Sequence, residues 1–183
     1  MAELSPSRLW LMRAGFIGLA LLILFFHLLP LDTVPRRWAP PDLLIAFTFA
    51  WVLRRPDYVP ILSLALVMLV ADLMFQRPPG LQAMLMVLGC EYLKNQTAGL
   101  RQASFVGEWM AVGIVLVAIT VLNRLVLGIV AVEPAPLGLN LIQIGLTFLA
   151  YPVVVVISQS FMGVRKLAPV DADALHSRGR ARI

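Results

Sequence analysis

Six apolar runs divide this chain, at about 14–31, 42–53, 61–75, 81–93, 108–130 and 137–162, with proline-bearing or charged connections between them. The first run is long enough to cross a bilayer as a helix rising about 1.5 Å per residue. His27 lies near its far end. Pro35, Pro40 and Pro41 then break the helix, and Trp38 suits a membrane–water interface. The second run reaches only about 18 Å as a helix. It is expected to be a steep, partly shielded span or one arm of a re-entrant hairpin. Asp42, directly after two prolines, is its expected N-cap.

A turn at Arg54-Arg55-Pro56-Asp57-Tyr58 leads into the third run, which carries Asp72 among apolar neighbours. A second turn, Gln76-Arg77-Pro78-Pro79-Gly80, leads into the fourth, which contains Glu91 with Lys94 three residues on. Residues 94–102 read as a polar connection. The fifth run holds Asn123 and Arg124, and the sixth holds Asn140, Gln143 and an expected bend at Pro152. Gly15, Gly18 and Gly113 are expected to permit close helix packing.

Composition turns this pattern into a class. The chain is 60% apolar and 14% charged, with mean hydropathy +0.88, against about 45–50% and 25% in soluble domains. An all-α, polytopic membrane helix bundle of about six transmembrane segments is expected. It is four if the second and third runs form one hairpin. Residues 1–163 are read as the transmembrane domain and 164–183 as a basic cytoplasmic tail. The N-terminal run is too long for a cleavable signal and is expected to be retained. Eleven of fifteen basic residues then fall on the side of both termini, Arg54 and Arg55 among them, against Arg36, Arg37 and Arg77 opposite. That bias predicts both termini in the cytoplasm. The high pI reflects these flanking and tail residues, so headgroup contact is expected and nucleic acid is not.

Catalytic chemistry has little material here. Two histidines, His27 and His176, and the single Cys90 supply no zinc ligand set. No phosphate-binding glycine loop is present, and Ser158 and Ser160 lack a nearby base. No enzyme, metal or cofactor is expected.

The remaining chemistry is polar residues at membrane depth. Asp72, Gln76, Asn123, Arg124, Asn140 and Gln143 fall at similar depth near the outer helix ends, with His27 close by. A carboxylate there costs several kcal/mol unless paired or wet. Asp72 and Arg124 are the opposite charges of the set and form its expected ion pair, with Gln76 as a second partner of Asp72. The cluster reads either as an outward-facing polar pocket or partner notch, or as ordinary polar glue between helices.

The stretch from Pro41-Asp42-Leu43 to Arg54-Arg55-Pro56, with Ala71-Asp72-Leu73 and the later Gly80-Leu81, resembles the bacterial rod-shape-determining MreD family. Chain length and the short middle segments agree; Pro78-Pro79 before Gly80 departs from the family pattern. The resemblance implies a non-catalytic inner-membrane scaffold of the cell-wall elongation machinery. Such a scaffold binds MreC, a single-span periplasmic protein, and couples MreB filaments to the RodA glycosyltransferase and its partner transpeptidase. It maintains rod shape and directs lateral peptidoglycan synthesis. It also implies a fold like the small-molecule-binding subunits of energy-coupling-factor transporters, and a subunit of that kind is the alternative function. The first and sixth runs are the expected faces for a single-span partner.

Overall fold

The computed structural model describes residues 6–29, 39–102, 104–132 and 136–162. They form α1 (Pro6–Leu28), α2 (Leu43–Arg54), a 3-10 turn (Pro56–Tyr58), α3 (Ile61–Met74), α4 (Leu81–Gln102), α5 (Phe105–Ile129) and α6 (Leu137–Met162). No strand occurs among the described residues, and the fold is an all-α bundle. The expected tail at 164–183 and the Trp38 loop lie outside the described residues.

Two helix boundaries differ from expectation. α1 begins at Pro6, whose fixed φ and missing N–H suit a first helical position. α4 runs on through 94–102 to a length of 22 residues. Those residues are polar but lack proline, and Leu, Lys, Gln and Arg are good helix formers. Lys94 Nζ bonds Glu91 Oε1 at 2.8 Å, as the i, i+3 spacing predicts, and also donates to the Val59 carbonyl at 3.3 Å. Pro152 lies inside α6, which continues past it.

Three helical stretches, Ser7–Leu28, Phe105–Ile129 and Leu137–Ser160, are long and apolar enough to cross a membrane. Large apolar side chains face outward around the bundle; Leu62 is 84% exposed and Ile129 83%. In water so much exposed apolar surface invites aggregation, whereas lipid tails accept it. The chain is a membrane protein with transmembrane helices.

α2 is the inner post of the bundle. It has 12 residues, and ten of them, from Leu44 and Ala46 to Arg54, are buried. α6, α4, α1 and the 3-10 turn pack around it. Phe47 stacks on Phe16 of α1 at 5.6 Å and lies 5.0 Å from the Trp51 ring. Being sheathed by protein, this helix has no need to match the lipid thickness. α3 pairs chiefly with α4, and α5 bridges α4 to α6.

The glycines do not all play the expected part. A Cβ at Gly15 or Gly18 would meet nothing within 4 Å, so neither is a close-approach position in this fold. Gly113 of α5 is one: an added Cβ would lie 2.6 Å from the Phe148 ring of α6. That ring stacks on Trp109 at 4.6 Å, and Trp109 Nε1 donates to the Phe148 carbonyl at 2.9 Å. Gly113→Ala is expected to cost about 1–3 kcal/mol by pushing the ring off its stack. Gly18→Ala is expected to be neutral or mildly stabilising. Thermal unfolding of both variants in detergent checks the contrast.

Candidate functional site

Short helices leave backbone groups to satisfy, and at one end of the bundle acidic side chains satisfy them. Asp42 Oδ1 accepts from Ile45 N–H at 3.2 Å, capping α2 as its position after two prolines predicts. The Asp42 N–H donates to Thr147 Oγ1 at 2.8 Å, and that hydroxyl donates to the Gln143 carbonyl at 2.7 Å. The start of α2 is thereby tied to α6.

Asp72 does the same for α4. Its Oδ2 accepts from Gly80 N–H at 3.0 Å and Ala83 N–H at 3.2 Å, and the residue is 1% exposed. This corrects the expected Asp72–Arg124 ion pair. Two N–H groups of a helix N-terminus, reinforced by its dipole, hold the carboxylate instead. Gln76 is no second partner either, because the helix has ended before it. Gln76 takes φ 52°, with Arg77 N–H donating to the Asp72 carbonyl at 3.0 Å and Gln76 N–H to Leu73 at 3.3 Å. That is a Schellman ending, usually built on glycine. Gly80 takes φ +88°, a conformation glycine adopts without strain.

α5 ends in the same way: Ala131 sits at φ 56°, and Val132 N–H donates to the Leu127 carbonyl at 3.0 Å. The α3–α4 turn, the end of α5 and the starts of α2 and α6 surround a cavity of about 320 Å³. Five of the six expected cluster residues line it: Gln76, Asn123, Arg124, Asn140 and Gln143. Asp72 stands behind the wall, shaping the turn. Sequence reasoning missed Arg77, Gln82, Thr120 and Thr147 as lining residues and took Asp42 for a cap alone. Gln82 was legible in principle, since it opens α4 at the depth of Asn123. The two carboxamides meet, with Asn123 Nδ2 donating to Gln82 Oε1 at 2.8 Å. The His27 ring lies 4.7 Å from Phe75 at the edge of this turn.

Comparison with family models, curated proteins and solved structures gives no match. The geometry of the two ends therefore carries the functional reading.

At the opposite end the structure holds a buried ion pair that sequence reasoning assigned elsewhere. Arg54 Nη2 of α2 lies 3.4 Å from Glu108 Oε1 of α5, and Tyr151 OH of α6 donates to the same oxygen at 2.7 Å. Their exposures are 4%, 1% and 0%. Arg54 was expected to serve topology or, as the lesser reading, to meet a cytoplasmic partner; its buried position instead joins three helices. Nearby, Trp51 Nε1, Thr48 Oγ1 and Arg54 Nε have no hydrogen-bond partner among the described residues. Arg13 Nε donates to the Asp57 carbonyl at 3.1 Å and ties α1 to the 3-10 turn. A charge at a helix terminus gave no sign that a carboxylate 54 residues away would pack against it.

Asp72→Asn keeps an acceptor oxygen and is expected to unfold within about 0.5 kcal/mol of the wild type, while Asp72→Ala loses about 1–2 kcal/mol. Equal loss in both, read by thermal unfolding, would show that the charge is what matters. Glu108→Leu is expected to cost about 3–5 kcal/mol by stranding the Arg54 guanidinium. Combining it with Arg54→Met is expected to recover part of that loss, measured by denaturation in sodium dodecyl sulfate. A double variant less stable than either single variant contradicts the pairing.

Proposed function

We propose that this chain is a non-catalytic scaffold subunit of the bacterial cell-wall elongation machinery, resembling MreD. It binds an MreC-like single-span protein and sits with MreB, RodA and the elongation transpeptidase. The observation that carries this reading is where the resembling residues lie. Asp42 opens α2, and Asp72 and Gly80 form the two sides of the α3–α4 cap. The Asp-Leu and Gly-Leu positions thus have a structural reason to occur together. They shape the polar end of a bundle and present no nucleophile. The cavity wall offers carboxamides, guanidiniums and hydroxyls, and its lining carboxylate, Asp42, is engaged in capping α2.

The proposed setting is the inner membrane, crossed six times with both termini cytoplasmic. The distribution of basic residues supports this, with eleven of fifteen on the side of the termini. In that orientation the cavity opens to the periplasm, where the body of an MreC-like protein lies. The Arg54–Glu108–Tyr151 cluster then lies toward the cytoplasm.

The cavity favours one second reading, a small-molecule-binding subunit of an energy-coupling-factor-like transporter. That reading requires a tightly held ligand and dependence on a transporter ATPase. The scaffold reading predicts that the tagged protein copurifies with the MreC-like protein and that its depletion rounds the cells. Normal cell width and normal cell-wall incorporation after deletion would overturn it.

A further inference from the structure

We propose that the cavity at the capped end of the bundle binds a small uncharged hydroxylated group, a sugar or polyol, held by carboxamide side chains. The volume of about 320 Å³ sits at the lower edge of ordinary ligand sites, about 300–1,000 Å³. That is room for one sugar-sized ring.

The charges of the wall are already engaged. Asp42 caps α2 through Ile45 N–H. The Arg77 guanidinium lies over the Phe75 ring, 5.1 Å from its centroid, and within electrostatic reach of the Asp72 carboxylate behind the wall. Arg124 already interacts within the chain. A charged ligand would enter without a free counter-charge and would lose its hydration uncompensated.

The uncommitted polar groups are neutral. Five of the chain's nine asparagine and glutamine residues line this one cavity. They come from four places: Gln76 from the α3–α4 turn, Gln82 from α4, Asn123 from α5, and Asn140 and Gln143 from α6. Carboxamides that merely glue helices bond one another across the interface. Among the described residues one such bond forms, Asn123 to Gln82 at 2.8 Å. The side chains of Gln76, Asn140 and Gln143 form no hydrogen bond among the described residues. Each carboxamide offers both donors and an acceptor, and a hydroxyl is likewise both. Ile45, Leu116 and Ile144 line the same space and suit the C–H faces of a sugar ring.

A second observation points the same way. Gln76 lines the cavity from a left-handed backbone position at φ 52°. Glycine is the low-strain choice at such a helix ending. Strain retained at a cavity wall fits a residue kept for its side chain. The hydroxylated group arrives either as a free sugar or as the headgroup of a neutral glycolipid, and the same lining serves both.

This occupant is argued from the wall and rests on neither functional reading above. The test uses the purified full-length protein alone in phosphatidylcholine nanodiscs, so its failure leaves the scaffold reading standing. One arm titrates methyl glucoside by calorimetry, with glucuronate as its charged counterpart. The other adds monoglucosyl diacylglycerol to the nanodiscs and reads retained lipid by native mass spectrometry. Wild type is expected to bind in at least one arm, and glucuronate to bind more weakly than the glucoside. Asn140→Leu and Gln143→Leu are each expected to weaken binding about tenfold or more while unfolding no earlier than wild type. Gln76→Gly relieves the backbone strain, so it folds even if the leucine variants do not, and it is expected to weaken binding as well. Gln159→Leu, on α6 outside the cavity, is expected to bind as wild type does. Uptake of the free glucoside supports the site with a soluble occupant; retention of the lipid alone supports it with a headgroup. Binding in neither arm, glucuronate bound as tightly as the glucoside, binding unchanged in Gln76→Gly, or equal loss in Gln159→Leu would each overturn the proposal. So would leucine variants that lose stability and keep binding, the result expected of polar glue.

Discussion

The structure depends on how it satisfies the backbone ends of helices shorter than a bilayer. α2 has 12 residues and α3 has 14, about 18 and 21 Å of helix against roughly 30 Å of hydrocarbon. Their ends expose N–H and C=O groups that lipid cannot satisfy. The fold answers with protein. α2 is sheathed on all sides, its first turn is capped by Asp42, and α4 starts on a carboxylate reached back from α3. Two Schellman endings close α3 and α5 at the same level. Irregular backbone and polar side chains therefore gather at one end, and the cavity is the space they leave.

Polar chemistry at the two ends is consequently of different kinds. At the capped end, polar groups meet backbone and one another around open space. At the other, Arg54, Glu108 and Tyr151 are packed shut. Breaking such a buried pair is costly, although replacing it whole with apolar groups often is not. In this bundle it joins α2 to α5 and α6 through side chains at the end away from the cavity.

Much of this was legible in the residues. Six apolar runs gave the helices, Pro40-Pro41-Asp42 gave a cap, and a shared depth brought Gln76, Asn123, Arg124, Asn140 and Gln143 together. The failures have physical reasons. Asp72 was matched to Arg124 because side-chain charges are visible in a sequence and backbone donors are not. Gly80 and Ala83 offered two N–H groups closer to hand than any arginine. The true buried pair escaped because Arg54 stands in a basic turn and Glu108 near a helix start, where both look solvated. Only the inward packing of α2 places them in contact. The end of α4 was misplaced because polarity was taken for a connection where helix propensity persisted.

Site-resolved amide hydrogen exchange at Gly80 and Ala83 in the purified protein tests the central claim most directly. The account predicts slow exchange at both amides, with both speeding together when Asp72 is replaced by alanine and the middle of α4 staying protected. Fast exchange at these amides in the wild type, or rates indifferent to Asp72, would contradict it.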